Sequence, residues 1–273
     1  MVLITGATDG LGRMVARDLA KCGAIVLMHG RNREKGEATL KEIQAATSNS
    51  KLEYYDADFS SLAAVRRLAE EVRARRDRLD ILINNAGIGA GPRTGARREQ
   101  SADGHELRFA VNYLAPFLLT HLLLPLLRKS APARIVNVAS IGQQSIEFAD
   151  VMLEKAYDGW RAYRQSKLAQ VMFTLDLAEE LKGSGVTVNS LHPASLMNTK
   201  MVYEGWGSTM STVEQGAEAV EYLATSPDLD GVTGEYFDGK KRARANAQAY
   251  DAAARRELWR LSARLTGLKL ADG

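Results

Sequence analysis

Along the chain, short runs of aliphatic residues alternate with longer stretches whose apolar positions recur every three or four residues. The short runs, at residues 2–5, 24–29, 52–57, 81–85, 134–140, 186–192 and 234–238, are apolar almost without interruption. That pattern predicts strands buried on both faces, as in a parallel sheet. Helical periodicity fills 11–22, 33–46, 61–76, 104–128, 163–182 and 213–224, and again about 247–266, where Trp259 and Leu261 lie. Strands alternating with helices predict βαβ units and an α/β fold. The expected architecture is a doubly wound parallel sheet of about seven strands with helices on both faces. No Pro/Gly/Ser-rich linker or internal repeat divides residues 1–273, which read as a single domain with a helical extension over about 240–268. Segments 88–103, 141–162 and 193–212 break the alternation, and long loops at one edge of such a sheet are expected to carry function.

Composition narrows the classes. The chain is 45% hydrophobic and 25% charged with a formal charge of +3, as in an ordinary globular protein. The basic runs at 73–78 and 240–244 have no interleaved aromatics, so they read as solvated faces and nucleic acid is not an expected partner. Cys22 is the only cysteine, which excludes a disulfide framework and points to a reducing compartment. His29, His105, His121 and His192 show no metal-ligand spacing, so no metal is expected. Residues 1–6 already read as a strand, and the apolar segment 114–127 is too short for a bilayer and reads as a buried helix. A cytoplasmic protein without a membrane partner is expected.

The first strand runs into Thr5-Gly6-Ala7-Thr8-Asp9-Gly10-Leu11-Gly12 and then a helix. Glycines at such a junction let the backbone approach a pyrophosphate, while the helix N-terminus supplies free N–H groups and a positive dipole end. The pattern is T-G-x-x-x-G-x-G, with Asp9 at its third variable position. It resembles the cofactor loop of the one-domain short-chain dehydrogenase/reductases, a family with a Rossmann-type fold. The resemblance implies a nicotinamide dinucleotide bound by Gly6, Thr8, Asp9, Gly10, Leu11 and Gly12. It also implies contacts from Asp58 and Phe59 after the third strand, and from Asn85, Ala86 and Gly87 after the fourth. At the end of the second strand no carboxylate precedes Glu34; Gly30 stands at the acidic position, followed by Arg31, Asn32 and Arg33. A guanidinium there pairs with a 2′-phosphate, so NADP(H) is the expected cofactor, with Arg31 as its main contact and Asn32 and Arg33 beside it.

Tyr163 and Lys167 lie one helical turn apart on one face. A reductase needs a proton donor with a pKa below the ~10 of free tyrosine, and a nearby positive charge favours the phenolate. The same spacing recurs at Tyr236 and Lys240, but β alternation and a turn at Asp238-Gly239 make that copy a strand end without a catalytic role. Ser140 closes a strand at the edge where open α/β sheets place ligands. The resemblance makes Ser140 the partner of Tyr163 and matches Asn112 to a residue that holds the lysine through water.

The resemblance covers residues 1 to about 268. The long interval between Ser140 and Tyr163 narrows it to the group of retinol dehydrogenases, WW-domain oxidoreductases and protochlorophyllide reductases. Pro193 is followed by Ala194 where the family has glycine. Either Asn198 or Thr199 is placed to meet the nicotinamide carboxamide. Segment 195–210, with Met197, Met201, Tyr203, Trp206 and Met210, reads either as a lid over a bulky apolar substrate or as packing for the C-terminal helix. Gln143, Met197 and Trp206 are candidate substrate contacts. The expected activity is hydride transfer between NADP(H) and a small-molecule carbonyl or alcohol; the alternative is a non-catalytic NADP(H)-binding regulator. The family's habit implies a homodimer or homotetramer through the Tyr163 helix, unless the C-terminal extension covers that face and leaves a monomer.

Overall fold

The structure is a computed structural model that describes residues 1–91 and 97–269, apart from the Trp206 side chain. Strands β1 (Val2–Ile4), β2 (Val26–Gly30), β3 (Leu52–Asp56), β4 (Ile81–Asn84), β5 (Ala133–Val138), β6 (Val186–His192), β7 (Tyr236–Asp238) and β8 (Lys241–Arg242) form one sheet in the order β3-β2-β1-β4-β5-β6-β7-β8. All pairings through β7 are parallel; β8 turns back antiparallel on β7, with Phe237 opposite Arg242. The doubly wound architecture is as the sequence predicts. The two-residue β8 is the difference in strand count, and it is too short and too charged to show in an apolar pattern.

Helices α1 (Gly10–Lys21), α2 (Arg33–Thr47) and α8 (Val213–Thr225) cover one face, while α3 (Leu62–Arg75), α5 (Ala115–Lys129), α6 (Gly159–Glu180) and α9 (Ala252–Thr266) cover the other. Alternate strand residues divide between the two cores because successive side chains point to opposite faces. Leu3, Leu27, Ile135 and Val188 enter the α3/α5/α6/α9 core; Val2, Ile4, Val136 and Leu191 enter the α1/α8 core.

Three boundaries differ from the periodic reading. The helix expected over 104–128 begins as α4 (Leu107–Phe109), passes through a π turn (Ala110–Leu114) and continues as α5. Pro116 has no N–H to offer the carbonyl four residues back, that of Asn112, and Ala115 donates instead to Ala110 in the wider turn. The 23-residue stretch Leu107–Lys129 is long and apolar enough to cross a membrane, but 83% of its apolar window is buried in the protein. Helix α6 starts at Gly159, capped by Asp158 accepting from the Arg161 amide at 2.6 Å, so Tyr163 stands a full turn inside it. Segment 193–212 contains α7 (Lys200–Trp206), capped by Thr199.

At the C-terminus, α9 lays Trp259 against Phe117 and His121 of α5 and Phe173 of α6, with ring centroids 5.5, 5.2 and 6.0 Å apart. The extension thereby covers part of the α5/α6 face.

Candidate active site

The strand order reverses between β1 and β4, and the glycine turn sits at the carboxyl end of that crevice. Thr5 Oγ1 accepts from the Asn85 and Ala86 amides, each at 3.0 Å, and Asn85 Nδ2 donates to the Thr5 carbonyl at 2.8 Å. Gly6 has φ +67°, and a Cβ there would lie 2.8 Å from Ala86 Cα. A Cβ at Gly12 would fall on the Gly6 carbonyl and the Asn85 amide. Two turns are thus pressed together with no room for a side chain, and the first turn of α1 is held at the crevice.

His29 holds the turn from below, a role that no spacing in the sequence announces. Burial pushes its imidazole down to about 4, so it is neutral. Its Nδ1 accepts from the Gly6 amide at 3.3 Å, which leaves Nε2 to donate to the Ala57 carbonyl at 3.0 Å. The Phe59 ring stacks on His29 at 4.2 Å and is buried, so it belongs to this support rather than to an open surface.

Other predicted cofactor residues are also committed to the protein. The Asp9 carboxylate caps α1 at the Gly10 amide, 2.8 Å away, and pairs with Lys35 at 2.6 Å, and the Lys35 hydrogen bond chiefly lowers its pKa. Leu11 is buried in the α1/α8 core. Thr8 packs beside Gly30, where a Cβ would come within 2.7 Å of its methyl. Asn32 caps α2 through the Lys35 amide at 2.8 Å. Arg33 is neutralised by Asp56 and Glu37, whereas Arg31 is exposed and makes no ion pair among the described residues. Asp58 is exposed at the end of β3, where it accepts from the Ser60 amide at 2.9 Å.

Asn112, Ser140, Tyr163 and Lys167 converge across the crevice from this turn. Lys167 is buried; its Nζ lies 5.9 Å from the Tyr163 ring centroid and donates to the Val138 carbonyl at 2.9 Å and to Gln170 Oε1 at 3.0 Å. Desolvation pulls its pKa from 10.5 to about 7. Burial raises the Tyr163 phenol, and a hydrogen bond with the Ser140 side chain opposes that rise. Ser140 stands two residues past β5, with its Oγ accepting from the Gly142 amide at 3.0 Å. The Asn112 side chain bonds both backbone groups of Ile88, at 2.8 and 3.0 Å, and donates to Ser166 Oγ at 3.0 Å. Pro116, four residues on, has no N–H to offer the Asn112 carbonyl. Gly87 lies between them: a Cβ there would be 3.2 Å from Asn112 Oδ1 and 3.7 Å from Lys167 Nζ.

The substrate-side residues divide differently from expectation. The Gln143 amide is used internally at both ends, donating to the Ser140 carbonyl at 2.8 Å and accepting from the Asn246 amide at 2.9 Å. The half-exposed Gln143 thus braces the serine's carbonyl. Met197 packs into the α1/α8 core beside Leu11 and Gly216. The Trp206 side chain lies outside the described part of the structure. Asn198 Oδ1 accepts from the Val213 amide at 2.9 Å, whereas the Thr199 methyl lies over Gly10, so Thr199 is the one at the glycine turn. Pro193 is buried after β6. Met201 covers Gly89, and Ile141, Tyr203 and Met210 are exposed.

The insertion between Ser140 and α6 is fastened by a buried charge cluster that local pattern does not reveal. Arg108 Nη1 donates to Tyr157 Oη at 2.7 Å, Tyr157 donates to Glu106 Oε1 at 3.1 Å, and Arg108 Nε donates to the Gly89 carbonyl at 3.0 Å. The tyrosine of the second Tyr-x-x-x-Lys copy is no mere strand end either. Tyr236 Oη reaches the Ser140 carbonyl at 3.0 Å, while Lys240 pairs with Glu218 at the surface. The strand assignment is correct, but β7 alternation sends Tyr236 inward beneath β5.

Comparison with known proteins agrees with this geometry. The sequence profile of the short chain dehydrogenases matches residues 1–206. Mouse retinol dehydrogenase 13 is 38% identical over 289 residues, covering 100% of this chain and 85% of its own. An uncharacterised protein from Mycobacterium paratuberculosis superimposes with a TM-score of 0.78 at 29% identity, covering 99% of this chain and 94% of its own. A short chain dehydrogenase of Escherichia coli CFT073 complexed with NADPH gives 0.70 at 28% identity, covering 88% of this chain and 95% of its own. With the glycine turn at the sheet's switch point and the serine, tyrosine and lysine gathered opposite it, the chain belongs to the short-chain dehydrogenase/reductase family of oxidoreductases, in its retinol dehydrogenase-like group.

Proposed function

We propose that this protein is an NADP(H)-dependent oxidoreductase that interconverts a bulky apolar ketone or aldehyde and its alcohol. The observation that carries the reading is the convergence of Asn112, Ser140, Tyr163 and Lys167 beside a turn whose glycines leave no room for side chains. That crevice fits a dinucleotide: the α1 N-terminus faces it, and Gly87 opens toward Lys167. The nicotinamide supplies the hydride in reduction and accepts it in oxidation.

The protein's own residues handle the proton. Tyr163 Oη donates to the carbonyl oxygen, while the Ser140 hydroxyl holds that oxygen and favours the phenolate left behind. Lys167 stands one turn away, where its ammonium, while protonated, favours the same phenolate. The Asn112 carbonyl, to which Pro116 offers no N–H, is suited to hold a water that returns the proton.

The guanidinium of Arg31, which makes no ion pair among the described residues, and the lack of a carboxylate at Gly30 favour a 2′-phosphate, and the Escherichia coli relative was solved with NADPH. Met201, Tyr203 and Ile141 offer an apolar surface for a large substrate, in keeping with the retinol dehydrogenases among the relatives. Tyr163→Phe tests the assignment by NADPH oxidation against a panel of bulky ketones and aldehydes. Turnover is expected to vanish while NADPH binding, read by fluorescence, persists; substantial residual turnover overturns the reading.

A further inference from the structure

Tyr236 lies 96 residues from Ser140 in sequence, yet its hydroxyl ends on that residue's carbonyl. Ser140 stands beyond the ladder: β5 stops at Val138, and the Ala139 amide makes the last bond to β6, to the Leu191 carbonyl at 2.8 Å. A chain leaving a sheet is free to turn its next residue in several directions, so something else must fix residue 140.

Two side-chain donors do so. Tyr236 Oη donates at 3.0 Å and Gln143 Nε2 at 2.8 Å, which fills both lone pairs of the Ser140 carbonyl. Tyr236 is itself fixed, with its side chain 4% exposed on β7 and its backbone carbonyl accepting from the Ala243 amide at 2.9 Å. Gln143 is oriented by the Asn246 amide, just before the turn that leads into α9. The segment after Ser140 is stitched to the same stretch, since Ile146 and the Gln248 side chain exchange hydrogen bonds at 2.6 and 3.0 Å.

We propose that Tyr236 and Gln143 are positioning residues that act through Ser140: together they clamp its carbonyl and so aim its hydroxyl at Tyr163. This rests on the oxidoreductase reading, under which Ser140 touches the reacting carbonyl. Tyr236 makes no direct use of the Tyr-x-x-x-Lys spacing, because Lys240 points away to Glu218.

The test is a double-mutant cycle with Ser140→Ala, in the full-length protein loaded with NADPH. Tyr236→Phe keeps the buried ring and removes one donor; it is expected to lower kcat about tenfold with KM little changed, the worth of one hydrogen bond. In the Ser140→Ala background the same change is expected to have no further effect. Gln143→Met is the second variant, with the same expected pattern, and Lys240→Ala is the control that leaves turnover intact. A substrate-independent measurement separates this inference from the reading it rests on. Absorbance at 295 nm, taken as the difference with and without Tyr163→Phe, follows the Tyr163 phenolate in each background. Tyr236→Phe is expected to raise that titration midpoint, because a drifting Ser140 no longer favours the phenolate, and to leave it unmoved when Ser140 is already alanine. An unchanged kcat and midpoint, or equal losses with and without the Ser140 hydroxyl, overturns the proposal. Absence of turnover in the parent protein, with the midpoint still moving as stated, overturns only the oxidoreductase reading.

Discussion

Lys167 offers a test that needs neither substrate nor cofactor. Its ammonium is buried, with the Val138 carbonyl and Gln170 Oε1 as its hydrogen-bond partners, and desolvation brings its pKa from 10.5 to about 7. Below the folded value, lysine is protonated in both folded and unfolded chains, and the fold carries the whole cost of the buried charge. Between about 7 and 10.5 the unfolded chain holds a proton that the folded one has released, so stability rises with pH. At 1.36 kcal/mol per pH unit the full cost is about 5 kcal/mol, on the order of half a typical domain's stability. Lys167→Met keeps the stem and removes the charge. The two lost hydrogen bonds shift the variant by an amount that does not depend on pH, and all other titrating groups are shared. Urea denaturation at pH 6 and pH 9 should therefore show the parent gaining about 2–3 kcal/mol on the variant across that interval. A difference in unfolding free energy that stays constant from pH 6 to pH 9 refutes the argument, and with it the claim that this lysine is held dehydrated before the cofactor arrives.

Gly12→Ala should abolish dinucleotide binding, measured by NADPH fluorescence, and cost about 1–3 kcal/mol of stability, because its methyl would overlap the Gly6 carbonyl and the Asn85 amide. Arg31→Asp should lower the preference for NADPH over NADH about 10- to 100-fold in kcat/KM, the loss of a charge-assisted contact to the 2′-phosphate; an unchanged ratio would place the phosphate elsewhere. Arg108→Met should destabilise by about 3–5 kcal/mol, since it leaves the fully buried Glu106 without its cation. Hydrogen exchange should then quicken first around Tyr157, where the insertion loses its anchor.

How much of this was legible in the residues depends on the range of the physics involved. The glycine turn, the Tyr163–Lys167 face and Ser140 at a strand end are set by positions within a few residues, where backbone geometry fixes who faces whom. The chain of apolar runs and helical stripes likewise determined the doubly wound sheet, because each element must bury a face of known period. Even the π turn had a local cause, the missing N–H of Pro116 four residues after Asn112.

Tertiary structure decided the rest. His29 under Gly6 and Tyr236 on the Ser140 carbonyl are buried polar groups whose partners are chosen by the packing of whole elements. Gln143 and Met197 are candidate substrate contacts in the sequence, and only the assembled protein shows that the C-terminal extension and α8 also engage them. The β alternation and the turn at Asp238-Gly239 correctly deny Tyr236 and Lys240 a shared helical face. A strand residue alternates between two faces, and which neighbour waits on the inward face is a property of sheet order, where β7 lies two strands from β5. Local sequence therefore determined the side chains of the candidate site, while contacts spanning up to 103 residues determined the framework around Ser140.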